Sequence, residues 1–127
     1  MKLPLNLTVS PLAHTWLIDL DGTIFEHNSH LLGEERLLPG VTEFWATIPS
    51  DDTIVLLSAR RHEYANATLA FLKKHGLRYN YALFDMPTGE RILINDRKPS
   101  GLETAIALNI DRNQGLSCVG LVIDSTL

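Results

Sequence analysis

Three short polar clusters hold the residues whose types and spacing could do chemistry: Asp19-Leu20-Asp21-Gly22-Thr23, Ser58-Ala59-Arg60 and Asn95-Asp96-Arg97-Lys98. Two aspartates separated by one residue face the same side wherever an extended strand continues through them. Gly22 lets the chain turn at once, and Thr23 offers a local hydrogen bond. Adjacent carboxylates repel each other unless a cation or a proton stands between them. Mg2+ is the natural intermediary, a hard ion that combines few carboxylates with phosphate oxygens. Beside such an ion one carboxylate can attack phosphorus. The other, if burial or its neighbour makes it hold a proton, can protonate the leaving oxygen and then activate water. The simpler alternative is a surface turn. Arg60 has the planar fork that makes bidentate contacts with phosphate or with a substrate carboxylate; an exposed arginine at a helix start is its alternative.

Each cluster follows an apolar run. Thr15–Leu20 is β-prone and stops at Asp21-Gly22. Thr53–Leu57 is a continuous apolar run, as expected of a strand covered on both faces. Arg91–Ile94 is read as a strand ending at Asn95-Asp96. Between them, Val41, Phe44, Trp45 and Ile48 fall on one helical face, and Pro49 closes that helix. His62–His75 is the strongest helix, with Tyr64, Ala67, Leu69, Ala70, Phe71 and Leu72 as its apolar stripe and Gly76 at its C-terminal cap. Tyr79–Phe84 and Val119–Ile123 read as strands. Thr104–Ile110 fits strand or helix, and strand is preferred. Residues 1–14 read as an extended N-terminal arm or a short added strand, and residues 23–38 as a loop or small β-flap. Strands alternating with helices favour a parallel sheet with right-handed crossovers, in which ligands bind at the carboxyl ends of the strands. All three clusters lie at such ends.

The chain has 127 residues, a size suited to a single domain over 1–127. Eleven Lys and Arg against fifteen Asp and Glu give a formal charge of −4, which argues against nucleic acid as a partner. A lone cysteine, Cys118, makes no internal disulfide and is expected as a small buried hydrophobe in a reducing compartment. No apolar run approaches the roughly 20 residues of a membrane span, and Pro4, Asn6, Ser10 and Pro11 interrupt any signal-peptide core. A soluble, cytoplasmic protein is the expectation.

The segment WLIDLDGTIF resembles the first motif of the haloacid dehalogenase (HAD) superfamily, Asp-x-Asp-Gly-Thr after a hydrophobic strand. LLSAR is similar to its second motif and ILINDRKPSG to its fourth, in family order, so the resemblance runs from about Thr15 to Gly101. LPGV at Leu38–Val41 is similar to the lead-in to the first helix of many members. The resemblance implies an α/β fold with a Rossmann-like, HAD-type parallel sheet flanked by helices. It also implies a Mg2+-dependent phosphomonoester hydrolase. In that scheme Asp19 is the nucleophile that forms an aspartyl-phosphate, and Asp21 is the general acid and base. The Asp19 carboxylate, the Asp21 carbonyl and Asp96 hold Mg2+. Ser58 hydrogen-bonds the phosphate, Arg60 contacts it, and Lys98 balances its charge. Ser58 reads equally as a cap for the next helix, and Asp96 as a simple turn residue.

Two departures from the family pattern stand out. Asn95 occupies a place that commonly carries a second acid. No lysine lies between Lys74 and Asn95, where the family's basic residue usually stands, so Lys98 is the first choice, ahead of Lys73, Lys74 and Arg91. The spacing between the motifs leaves no room for a full cap domain. An open site suits a large phosphorylated substrate or closure by a neighbouring subunit in a homo-oligomer; a phosphorylated sugar or another small metabolite is preferred. The competing readings are a receiver domain, a non-catalytic phosphate-ligand-binding module on the same scaffold, and a phosphotransferase. A receiver domain would need a phosphoacceptor aspartate where Leu57-Ser58-Ala59 stands. His27 and His30 with Glu26 make a conceivable metal site, but exposed polar residues are the simpler expectation. Trp16 and Trp45 are expected in the core.

Overall fold

The structure, a computed structural model, describes residues 4–127, so the first three residues of the expected arm lie outside the described residues. The chain forms an α/β protein with two small parallel sheets. Strand β1 (Leu5–Val9) pairs with β5 (Val119–Ile123), and β2 (Thr15–Asp19), β3 (Thr53–Leu57) and β4 (Tyr81–Leu83) form the second sheet in that order. The helices are α1 (Val41–Thr47) and α2 (Ala65–Lys74), the latter preceded by a 3-10 turn over His62–Tyr64.

Register explains which side chains go inside. Trp16 lies beside Ile54, Ile18 beside Leu56, and Leu56 beside Ala82, so these five share one face. That face meets Phe44 and Trp45 of α1 and Leu72 of α2 in the main hydrophobic cluster. Ile54 is 0% and Leu56 1% exposed, each such side chain adding about 1.5–3 kcal/mol through burial. Trp45 donates from Nε1 to the carbonyl of Arg78 (2.9 Å), and Asn80 exchanges hydrogen bonds with Ile54, N–H to carbonyl and N–H to Oδ1, both at 2.8 Å. These contacts fix the start of β4 against β3.

The opposite face holds the rows Leu17–Val55–Tyr81 and Asp19–Leu57–Leu83. Leu17, Tyr81 and Leu83 are exposed on it. The expectation that Thr53–Leu57 is covered on both faces is therefore corrected: both helices bury residues on one side of the sheet. Within α2 the buried residues are Ala65, Thr68 and Leu72, while Ala67 and Ala70 of the expected stripe face solvent.

Two further expectations are corrected. Arg91–Ile94 and Thr104–Ile110 form no strands; Ile92 and Ile94 are 83% and 91% exposed. A strand needs a neighbour for its backbone groups, and local side-chain bonds hold this stretch instead. Asn95 Nδ2 donates to Thr104 Oγ1 (2.9 Å), Arg97 Nη2 to Glu103 (3.2 Å), and the Lys98 N–H to the Leu102 carbonyl (2.9 Å). Cys118 is exposed rather than buried.

Residues 23–38, expected as a loop or small flap, carry an isolated antiparallel bridge between Phe25 and Leu37. Glu26 N–H donates to the Arg36 carbonyl (2.8 Å) and Leu38 N–H to the Ile24 carbonyl (2.9 Å), closing a narrow antiparallel finger around a 3-10 turn at Ser29–Leu32. Phe25 anchors the finger, fully buried and edge-on to Phe71.

Candidate functional site

Asp19 ends β2 and Ser58 follows the end of the adjacent β3, at the carboxyl ends of two paired parallel strands. The strand does not continue to Asp21. The Leu20 carbonyl accepts from the N–H groups of Thr23 and Ile24 (3.2 and 2.8 Å), and this turn gives the two aspartates separate partners. Asp19 accepts from Thr23 Oγ1 (3.3 Å) and from Arg91 Nη1 (3.2 Å). Burial pushes its carboxyl above the usual range, with Asp21 adding a little, against the opposing pull of Arg91 and Thr23.

Asp21 belongs to a different network, centred on Arg60. A guanidinium has five N–H groups, and here every one has a protein acceptor. Nε–H lies 3.0 Å from Asp21 Oδ2, and one Nη2–H lies 2.9 Å from Asp21 Oδ1. The other Nη2–H reaches Glu35 Oε2 at 3.1 Å. Nη1 donates to Glu35 Oε1 and, at 2.9 Å, to Thr68 Oγ1. The guanidinium also sits 4.9 Å from the centre of the Phe25 ring. Arg60 is 4% exposed; burial works against its charge, but Glu35 and Asp21 outweigh burial and hold it ionised. In this arrangement no Arg60 N–H is left over for the phosphate contact expected of it.

Ser58 is 1% exposed, and its Oγ accepts from the Arg60 N–H at 2.9 Å. This bond lies within the loop that carries Arg60 and is not the helix cap expected as the alternative, since neither the 3-10 turn nor α2 has a side-chain cap at its start. Lys98 is exposed in the loop after Asn95, and its side chain makes no hydrogen bond or ion pair among the described residues. The basic group against Asp19 is Arg91, a weaker choice on sequence grounds.

Asp96 stands exposed in that same loop. Among the described residues no three histidine, cysteine or acidic side chains come together to hold a metal. The expected set of Asp19, the Asp21 carbonyl and Asp96 brings only two carboxylates and one backbone oxygen; the Asp19 carboxylate is paired with Arg91 and that of Asp21 with Arg60. A Mg2+ ion held there would compete with Arg91 for the Asp19 carboxylate.

His27 and His30 are partly buried rather than exposed, and the Nδ1 of each is buried without a hydrogen-bond partner. His30 stacks edge-on against Tyr64, its ring centre 4.7 Å away, and its Nδ1 is 3.9 Å from Asp21 Oδ1. Burial, then the Arg60 charge, push His30 below its usual range, so its ring is neutral near pH 7.

Glu35 and Thr68 are site residues that sequence reasoning missed. The only signal was the Glu34-Glu35 pair within the flap, and nothing in its spacing links it to Arg60. No family model matches the chain, and neither a curated protein nor a solved structure matches it. No helix among the described residues is long and apolar enough to cross a membrane.

Proposed function

We propose that the chain is a phosphomonoester hydrolase working through an aspartyl-phosphate on Asp19, on a HAD-type core without a full cap. The supporting observation is the Arg91 guanidinium 3.2 Å from the Asp19 carboxylate at the carboxyl end of a parallel strand. A cation there offsets the repulsion between a carboxylate and an anionic phosphoryl group. In the reacting complex Asp21 enters protonated: an Asp19 oxygen attacks phosphorus, the bond from phosphorus to the leaving oxygen breaks, and the Asp21 proton passes to that oxygen. Water then attacks phosphorus and gives a proton to Asp21; inorganic phosphate leaves and the Asp19 carboxylate is restored. Arg60 orients Asp21 for both transfers. The preferred substrate is a small phosphorylated metabolite, a sugar phosphate first, with a homo-oligomer as one way of closing the open site.

The magnesium requirement rests on the paired aspartates and on the resemblance of the first and fourth motifs. A second reading, a non-catalytic module that binds phosphate-bearing ligands, draws on the pairing of both motif carboxylates with guanidinium groups. Turnover of an aryl phosphate with and without Mg2+ decides between the readings. Wild-type turnover that vanishes in Asp19→Asn supports the hydrolase. Activity retained in Asp19→Asn rejects the nucleophile assignment, and an inactive wild type that still binds phosphorylated ligands supports the module.

A further inference from the structure

Glu35 lies in the flap, yet its carboxylate reaches the arginine that holds Asp21. We infer that Glu35 is a positioning residue: through Arg60 it fixes the Asp21 carboxylate, and so couples the flap to the proton-transfer step. The inference rests on the hydrolase reading above. Its basis is the sharing of one buried guanidinium between two carboxylates. Asp21 takes the Nε side of the fork and Glu35 the Nη1 side, and Nη2 donates to both.

Glu35 is itself held. Ser29 Oγ donates to Glu35 Oε2 at 2.6 Å, and Ser29 is fully buried. Thr68 of α2 holds the remaining Nη1–H, and Phe25 lies against the guanidinium. The fork therefore cannot swing without breaking contacts to the flap and to α2.

Anchoring the flap does not require this charge. Phe25 and Leu38 already bury it against the core, and a buried ion pair is weak as a source of net stability because both charges lose their water. What the second carboxylate does supply is direction. With Asp21 as sole partner, the guanidinium would have acceptors on one side only. With Glu35 opposite, its plane is fixed, and Asp21 has one orientation in which both of its oxygens accept.

The test compares Glu35→Gln, Glu35→Asp and Ser29→Ala with wild type in thermal melting and in kcat and KM for an aryl phosphate. Glu35→Gln keeps the shape but loses the charge and turns an amide N–H toward a guanidinium N–H. Its kcat is expected to fall about 10-fold to 100-fold with KM little changed, the loss typical of a misplaced catalytic group. Glu35→Asp, which keeps the charge, is expected to retain more kcat than Glu35→Gln. Ser29→Ala, which loosens Glu35 without removing it, is expected to lose kcat in the same direction. An unchanged kcat in Glu35→Gln overturns the inference, as do losses that follow melting temperature with Glu35→Asp the worse variant. An inactive wild type overturns the hydrolase reading and this inference with it. An active wild type with Glu35 variants of equal activity overturns this inference alone.

Discussion

Arg91 Nη1 stands 3.2 Å from Asp19 Oδ1 although the two residues are 72 positions apart. Both side chains are more than a third exposed, at 39% and 37%. A pair so exposed adds little to folding, about 0–1 kcal/mol. Its effect belongs to the site, where the guanidinium offsets the charge that builds when a carboxylate meets a phosphoryl group.

Arg91→Ala is therefore expected to melt close to wild type while losing about 100-fold in aryl phosphate turnover, the usual effect of removing one charge-stabilising donor. Arg91→Lys should recover part of that loss, since a point charge replaces the fork. Melting curves and steady-state rates on the same samples check both.

A second network, remote from Asp21, controls acid stability. Asp52 is 3% exposed and accepts from the His14 N–H (3.0 Å), the His14 imidazole (2.8 Å) and Trp16 Nε1 (2.8 Å). The other ring nitrogen of His14 faces the Ser10 carbonyl at 2.9 Å. Burial pushes the Asp52 carboxyl up, but these hydrogen bonds outweigh it and hold the carboxyl below its usual range. A depressed carboxyl stabilises the folded state above its unfolded value, and that contribution is lost as pH falls through the folded one. Denaturant unfolding across acidic pH should show wild type losing stability in that window. Asp52→Asn should start about 1–3 kcal/mol less stable at neutral pH and lose less of what remains on acidification.

The join between α1 and the segment before β5 depends on a glycine. Gly40 has φ +77, and a Cβ there would fall on the backbone nitrogen of Ser117. Gly40→Ala is expected to cost about 2–3 kcal/mol from left-handed strain and the clash together. Gly89, with an ordinary φ and nothing near its Cβ position, is the control. Gly89→Ala should be neutral or slightly stabilising by thermal melting. Equal losses at the two positions would contradict the packing of Ser117 on Gly40.

The elements legible in the sequence are those whose patterns carry their own partner. The Val41, Phe44, Trp45 and Ile48 face predicts α1, and the apolar runs Thr15–Leu20 and Thr53–Leu57 predict the paired strands β2 and β3. Arg91–Ile94 has the same apolar character, but composition cannot say which edge will receive a run, and this one pairs with none. The site is legible in the same uneven way. Asp19 is marked by its place at a strand end. Arg60 is marked by its type, yet its use is set by Glu35 and Thr68, distant in sequence and without motif. Fork geometry and burial, not spacing, turn Arg60 away from a phosphate contact and onto Asp21.

The most direct measurement is the mass of the protein quenched in acid during turnover of an aryl phosphate. The expected result is a transient gain of one phosphoryl group, mapped to the peptide containing Asp19 and absent from Asp19→Asn. Steady turnover with no phosphoryl adduct at any quench time, or an adduct that persists in Asp19→Asn, contradicts Asp19 as the nucleophile.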